Sequence, residues 1–326
     1  MMRVALIGRH QALHAAGLAA MERGHRIACV VTAKSRPEYL KHEEDFRDLA
    51  RAAGCPFFYL PDFRDPALRQ TLDGLDAAIS MNWVGILGAE ALGLFRTGVL
   101  NAHYGPLPRY RGNACPNWAI LAGEESIHLC VHLMEPGELD CGRVIREDSI
   151  RVTPQTYISD IYDWGDRVIP ALFAEALDQL DADPGFCLRM ASPDDPAAFR
   201  CHPRIPEDAR IDWSRPSSEI HRLVRASSDP LPGAYTYFMS GGALSRLYVL
   251  RAREGGRAGL DLAVPGQVTA RGRDGSLKVR CGDGSLALEL CRVDNGEPFA
   301  PASRFMSSRF RLGVDPLDAL YLLGGS

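Results

Sequence analysis

Asn101, His103 and Asp140 are the side chains of this sequence whose types and spacing could do chemistry together. Asn101-Ala102-His103 runs into Gly105-Pro106-Leu107-Pro108-Arg109-Tyr110-Arg111-Gly112, and Leu139-Asp140-Cys141-Gly142 comes later in the chain. An amine that attacks an acyl carbon leaves negative charge on oxygen and positive charge on nitrogen. An asparagine amide can donate to that oxygen. An imidazole, with an intrinsic pKa of about 6.5, can take the proton at neutral pH, and a carboxylate can orient the ring and stabilise its charged form. Two residues apart on an extended segment, Asn101 and His103 face the same side. No serine or cysteine sits in a nucleophile elbow, so direct transfer is expected rather than an acyl-enzyme. An isolated Asn-x-His would more simply be a turn asparagine and a structural histidine. The stiff loop that follows, with Pro106, Pro108, Gly105 and Gly112, shifts the weight, because such a loop at a strand end is costly unless it presents something.

The elements that must hold these groups follow from periodicity. Arg3–Ile7 reads as a buried strand, Ala15–Gly24 as a helix stopped by Gly24, and Ile27–Val31 as a second strand. This is a β-α-β opening onto a parallel sheet. Tyr39–Ala53 has helical spacing, and Phe57–Tyr59, Ala77–Met81 and Val99–Ala102 are further strands. The alternation predicts an α/β, doubly wound, Rossmann-like, mostly parallel sheet. Ligands bind beyond the carboxyl ends of such strands, where Asn82-Trp83-Val84-Gly85 and Asn101–His103 fall. His128–Leu133, Gly142–Ile145 and Ser149–Val152 continue as strands, and Gln155–Leu180 as a long helix with Pro170 a bend. A run rich in Asp, Pro and Ser then reads as a linker, residues 186–208. It separates a catalytic domain, 1–185, from a C-terminal domain, 209–326. That second part has an amphipathic helix at Ser217–Ala226 and short β-rich runs with hairpin signals at Asp274-Gly275 and Asp283-Gly284, a small β-barrel by pattern.

Composition excludes several classes. The chain has 326 residues, 46% hydrophobic and 24% charged, with a net charge of −4, which speaks against a general nucleic-acid or membrane binder. No apolar run approaches the roughly 20 residues that span a bilayer. The apolar start is too short for a signal peptide, so a cytoplasmic protein is expected. Nine cysteines with irregular spacing and no Cys-x-x-Cys argue for reduced, buried thiols and no metal site. Cys115 and Cys141 flank the candidate site in sequence. The turn Gly8-Arg9-His10-Gln11-Ala12-Leu13 lacks the glycines of a dinucleotide fingerprint, and no P-loop is present.

With these residues in view, the sequence resembles the folate-dependent formyltransferase family. The resemblance is carried by Asn-x-His at 101–103, Leu-Pro-Arg-Tyr-Arg-Gly at 107–112, Pro-Asn-Trp-Ala-Ile at 116–120 and Leu-Asp-Cys-Gly at 139–142. It resumes at Arg210-Ile211-Asp212-Trp213, Val224-Arg225-Ala226 and Pro232-Gly233-Ala234-Tyr235, so it covers nearly the whole chain. It implies 10-formyltetrahydrofolate as donor, a primary amine as acceptor, Asn101, His103 and Asp140 as the catalytic trio, and an OB-like barrel for the C-terminal domain. It also implies a pterin-binding loop at Asn82, Trp83, Val84, Gly85, Ile86 and Leu87, with Leu139 and Asp140 opposite. Two departures bear on the acceptor. Tyr104-Gly105-Pro106 stands where the family often has Pro-Ser-Leu or Gly-Ser-Leu, and Ile127–Cys130 replaces a usual Gly-Val-Thr.

Residues 32–48 carry Lys34, Arg36, Lys41 and Arg47 against Glu38, Glu43, Glu44, Asp45 and Asp48, whereas a loop tracking tRNA phosphates should be clearly positive. From Arg204 onward there are 17 Lys/Arg against 14 Asp/Glu, a weak excess. A nucleotide-linked amino sugar is therefore the expected acceptor, with Arg9, His10, Tyr104, Arg109, Arg111, Asn113 and Asn117 as candidate contacts. The plainer readings stay open: solvated loop arginines at 9 and 109, a first-turn asparagine at 117, and a core plug at Trp83. Methionyl-tRNA and hydroxyornithine are alternative acceptors. A hydrolase of the folate is a rival, although the relatives of that kind carry a further N-terminal domain. A non-catalytic folate-binding module is another. The β-rich half is an expected face for a homodimer.

Overall fold

A computed structural model describes residues 1–257, 262–305, 307–317 and 319; the end of the expected C-terminal domain lies outside them. The chain forms two compact units. One comprises Met1–Cys115, Ser126–Arg151 and Tyr162–His202, and the other Pro116–Glu125, Val152–Ile161 and the chain from Pro203 onward.

The first unit opens with β1 (Arg3–Gly8), α1 (Gln11–Glu22), β2 (Arg26–Thr32), α2 (Glu43–Ala53), β3 (Phe57–Tyr59), α3 (Pro66–Leu72), β4 (Leu75–Met81), α4 (Ala89–Leu92) and β5 (Phe95–His103). α1 starts earlier than apolar periodicity suggests, because the His10 ring accepts from the Ala12 N–H at 3.3 Å and caps the helix. α2 starts later than Tyr39: Asp45 accepts from the His42 N–H at 2.9 Å, and Glu43, Glu44 and Asp45 fill the first turn. Along the chain β6 (Arg111–Gly112), α5 (Cys115–Ala122), β7 (Ser126–Leu133), β8 (Gly142–Arg151), α6 (Ile158–Ala182), β9 (Arg189–Ala191) and β10 (Arg200–Cys201) follow, with α5 beyond Cys115 and the start of α6 belonging to the second unit. The two strands expected at 142–145 and 149–152 are one, and α6 runs on through Pro170.

The eight-stranded sheet has the order β3-β2-β1-β4-β5-β7-β8-β9. The strands from β3 to β5 are parallel, whereas β7, β8 and β9 are antiparallel. The order in which strands are added reverses between β1 and β4, the place where open α/β sheets leave a crevice. Gly8 is needed there, with φ 138°, because a Cβ on it would overlap the Met81 carbonyl.

The stretch expected to be a linker carries two short strands. β9 adds an edge strand to β8, and β10 pairs with β6. Strands of two or three residues leave no periodicity, and the Pro- and Asp-rich turns between them dominate the composition.

The second unit contains α7 (Ser217–Ser227) and a five-stranded antiparallel sheet. Its strands are β11 (Ala234–Ser240), β12 (Ala243–Arg257), β13 (Val268–Arg271), β14 (Leu277–Arg280) and β15 (Gly284–Val293). The order is β11-β12-β15-β14-β13, and both Asp-Gly pairs lie in hairpin turns. Trp213, Val224, Phe238, Leu288 and Phe305 are among its buried core.

Candidate active site

Register places the chemistry. β5 lies between β4 and β7, with Asn101 opposite Ser80 on one side and His132 on the other, and His103 opposite Cys130. His103 is buried. Its Nδ1 is 3.3 Å from Asp140 Oδ1, and its Nε2 lies 2.6 Å from the Tyr110 carbonyl. A carbonyl only accepts, so Nε2 carries the hydrogen in this contact. Asp140 has φ 54°, a left-handed backbone that aspartate tolerates. Its other oxygen, Oδ2, accepts from the Gly112 N–H at 2.7 Å. The carboxylate thus spans the His103 ring and the start of the loop beyond β6.

His132 was not among the residues read from sequence. It is 1% exposed, and its Nε2 lies 3.9 Å from Asp140 Oδ1 and 3.5 Å from Asn101 Nδ2. Nδ1 donates to the Leu133 carbonyl at 3.1 Å. Burial, and then the neighbouring His103, push its pKa down to about 4, with Asp140 opposing. The ring is therefore neutral, and its Nε2 offers a lone pair towards the Asn101 amide nitrogen. That fixes which end of the amide faces the site and leaves its second hydrogen for an incoming oxygen. Only the cross-strand pairing, invisible without register, could have revealed this residue.

The Gly105–Gly112 loop is held from the segment expected to be a linker. Arg189 Nε donates to the Leu107 carbonyl at 2.8 Å, its Nη2 lies 3.2 Å from Cys130 Sγ, and Nη1 is 2.6 Å from Glu147. Phe199 packs edge-on against Tyr110, with ring centroids 4.6 Å apart. A Cβ on Gly105 would sit 2.8 Å from the Tyr110 carbonyl oxygen and 3.0 Å from His103 Nε2. Glycine at 105 is what lets the loop close over the imidazole.

A cavity of about 300 Å³ opens beside Asp140 and His132, lined also by Ile86, Leu87, Gly88, Met134, Glu135, Gly137, Glu138 and Leu139. Its size and its apolar walls with a polar end suit a small heteroaromatic group. Of the residues expected to hold the pterin, Ile86, Leu87, Leu139 and Asp140 line it. Asn82, Trp83, Val84 and Gly85 do not. Asn82, at φ 52°, receives Arg9 Nε on its carbonyl at 3.0 Å. Trp83, partly buried, packs edge-on against Phe63 at the margin of the core, 5.4 Å between centroids, while the Val84 side chain is exposed.

The residues expected to meet the acceptor are mostly engaged within the fold. Arg9 also donates to the Lys34 carbonyl, and His10 Nδ1 is 3.6 Å from Asp166. Burial lowers the pKa of His10, against the pull of Asp166. Tyr104 packs against Tyr162 and Trp164, and its hydroxyl occupies the space a side chain at Gly165 would need. Arg109 lies over the Tyr110 and Phe199 rings. Arg111 is buried and bonded to Glu138 and Leu139. The Asn113 side chain is exposed, and its N–H donates to the Cys201 carbonyl at 3.0 Å. Asn117 belongs to the second unit, where its buried amide donates to the Ala226 carbonyl at 2.8 Å. The neighbouring Cys201 thiol and burial raise the pKa of Cys115; burial raises that of Cys141, whose Sγ donates to the Glu138 carbonyl at 3.2 Å. Both thiols are buried. Among the described residues no cluster of three or more metal-ligating side chains occurs, and no helix is long and apolar enough to cross a membrane.

Residues 2–177 match the family described as "Formyl transferase", and residues 204–309 match "Formyl transferase, C-terminal domain". A methionyl-tRNA formyltransferase of Anaeromyxobacter dehalogenans is 33% identical over 333 residues, covering 96% of this chain and 100% of that one. One from Sinorhizobium medicae is 30% identical over 289 residues, covering 87% and 88%. In fold, the chain is similar to WlaRD, a sugar 3N-formyl transferase, with TM-score 0.64 and 14% identity over 91% of this chain and 99% of that one. It is also similar to HypX from Aquifex aeolicus, with TM-score 0.59 and 18% identity over 93% of this chain. The chain spans about half the length of HypX, 46%.

Proposed function

The chain belongs to the formyl transferase family, and on that premise we propose that it moves a formyl group from 10-formyltetrahydrofolate to a primary amine by direct attack. The observation that carries the reading is the Asp140–His103 contact of 3.3 Å, with Asn101 two residues back on the same strand. Asn101 Nδ2, held by neutral His132, donates to the formyl oxygen as charge develops there. Once the Tyr110 contact is released and the ring holds its hydrogen on Nδ1, donated to Asp140, His103 takes the proton from the attacking nitrogen at Nε2 and Asp140 stabilises the imidazolium. For that the amine must take the place the Tyr110 carbonyl now holds. The cavity walled by Ile86, Leu87, Met134 and Leu139 is where the folate rings sit in this reading. The nine free cysteines suit the reducing cytoplasm.

The acceptor favoured is a nucleotide-linked amino sugar, supported by the mixed charge of residues 32–48. A second reading, methionyl-tRNA, is favoured by the names of the relatives at 30% and 33% identity. The test is turnover of 10-formyltetrahydrofolate with amino-sugar nucleotides, hydroxyornithine and methionyl-tRNA in separate assays. Formylation of an amino-sugar nucleotide supports the first acceptor, and of methionyl-tRNA the second. Equal turnover without any amine would make the protein a hydrolase. Binding without turnover across the whole panel would make it a binding module.

A further inference from the structure

We propose that Arg111 is a positioning residue for Asp140, in place of the acceptor-binding role its type suggests. The inference rests on the reading of the trio above. The Arg111 side chain is 9% exposed, and it reaches the segment that carries Asp140 at two points. Nε donates to the Leu139 carbonyl at 3.0 Å, and Nη2 meets Glu138 Oε2 at 2.7 Å. The next residue, Gly112, gives its N–H to Asp140 Oδ2 at 2.7 Å. Two successive residues of β6 therefore grip three successive residues, Glu138, Leu139 and Asp140, by side chain and by backbone.

The grip is needed because of what it holds. Asp140 sits at φ 54° and is followed by Gly142 at φ 112°, with a Cβ at 142 excluded by the Leu133 carbonyl. This is an irregular turn between β7 and β8, without a ladder of its own at the catalytic residue. Its carboxylate must present Oδ1 to His103 Nδ1, so the turn needs an outside template. β6 is that template, and it is braced in turn. The Arg111 N–H donates to the Phe199 carbonyl at 3.1 Å, and β10 pairs Arg200 with Arg111 and Cys201 with Gly112. A guanidinium suits the task, since its fork reaches a carbonyl and a carboxylate at once, whereas an ammonium at that position would satisfy one of them.

A double-mutant cycle on kcat tests this, using a nucleotide-linked amino sugar and methionyl-tRNA as separate acceptors and following whichever is formylated. Arg111→Ala is expected to lower kcat about 10- to 100-fold by misplacing the carboxylate, with Arg111→Lys intermediate and guanidinium ion at millimolar concentration restoring part of the loss. In an Asp140→Asn background Arg111→Ala should change kcat less than about threefold, because a residue acting only through Asp140 has nothing left to position. Equal losses in the two backgrounds, or no response to guanidinium, would overturn the proposal. If Arg111→Ala does not fold, judged by circular dichroism, Arg111→Lys carries the same cycle. Should Asp140→Asn alone leave kcat unchanged, the reading of the trio fails instead, which keeps the two outcomes apart.

Discussion

The Asn101–His103–Asp140 cluster and the set of arginines and asparagines around it are built from similar polar groups, yet those groups are used differently. In the cluster the side chains are oriented mainly by one another and by His132, around a single strand end. Asn101 is turned by His132, and His103 is turned by Asp140 while Tyr110 caps the far nitrogen. Among the surrounding residues Arg9, Arg111 and Asn117 direct donors into carbonyls or carboxylates of the fold itself. A long polar side chain near a site is as often a brace as a ligand, and only the location of its partners distinguishes the two.

The cluster side should show the largest effects. His103→Ala is expected to lower kcat about 10³- to 10⁴-fold, and Asn101→Ala about 10²- to 10³-fold, with affinity for 5-formyltetrahydrofolate within threefold of wild type by calorimetry. If either variant retained more than a tenth of the activity, the cluster would be no more functional than its surroundings.

His132 extends the contrast to stability. Burial holds its pKa at about 4, against 6.5 for the unfolded chain. As pH falls below 6.5 the unfolded state takes up a proton that the native ring refuses until about pH 4. Stability present above pH 6.5 is therefore lost through that window, by up to about 3 kcal/mol. His132→Gln should remove that part of the acid sensitivity in urea titrations run at several pH values. His221 in the second unit is also pushed down to about 4, chiefly by burial, and leaves a remaining slope. An unchanged slope in the variant would mean that His132 is charged in the native state.

Smaller effects sharpen the boundary between the two sets. Gly105→Ala crowds both the Tyr110 carbonyl and His103 Nε2, so kcat is expected to fall about tenfold with the melting temperature lowered by a few degrees. Arg9→Ala should cost about 1 kcal/mol of stability through its lost carbonyl contacts while moving the KM for the amine less than threefold. A tenfold rise in KM would place Arg9 with the ligand-binding groups after all.

What sequence could show follows the same division. The β-α-β opening, both Asp-Gly hairpins and the α/β sheet were legible because apolar periodicity and turn chemistry are local. Asn101 and His103 were legible because alternation along one strand sets their common side. His132 was not, since its role depends on lying opposite Asn101 across β5 and β7. Arg189 and Phe199 were hidden in a stretch whose prolines and aspartates read as a linker, although it supplies β9 and β10. Arg111 and Asn117 were visible as residues but not as braces, because their partners are carbonyls at 139 and 226, distant in the chain.

The central claim is direct formyl transfer to an amine at the end of β5, and a rapid-quench single turnover with isotope-labelled 10-formyltetrahydrofolate tests it most directly. Label should pass to the amine with no formyl group on the protein at any time, and it should stay on the folate when the amine is omitted. A transient formyl adduct on the protein, or release of labelled formate at the same rate without the amine, would contradict the account.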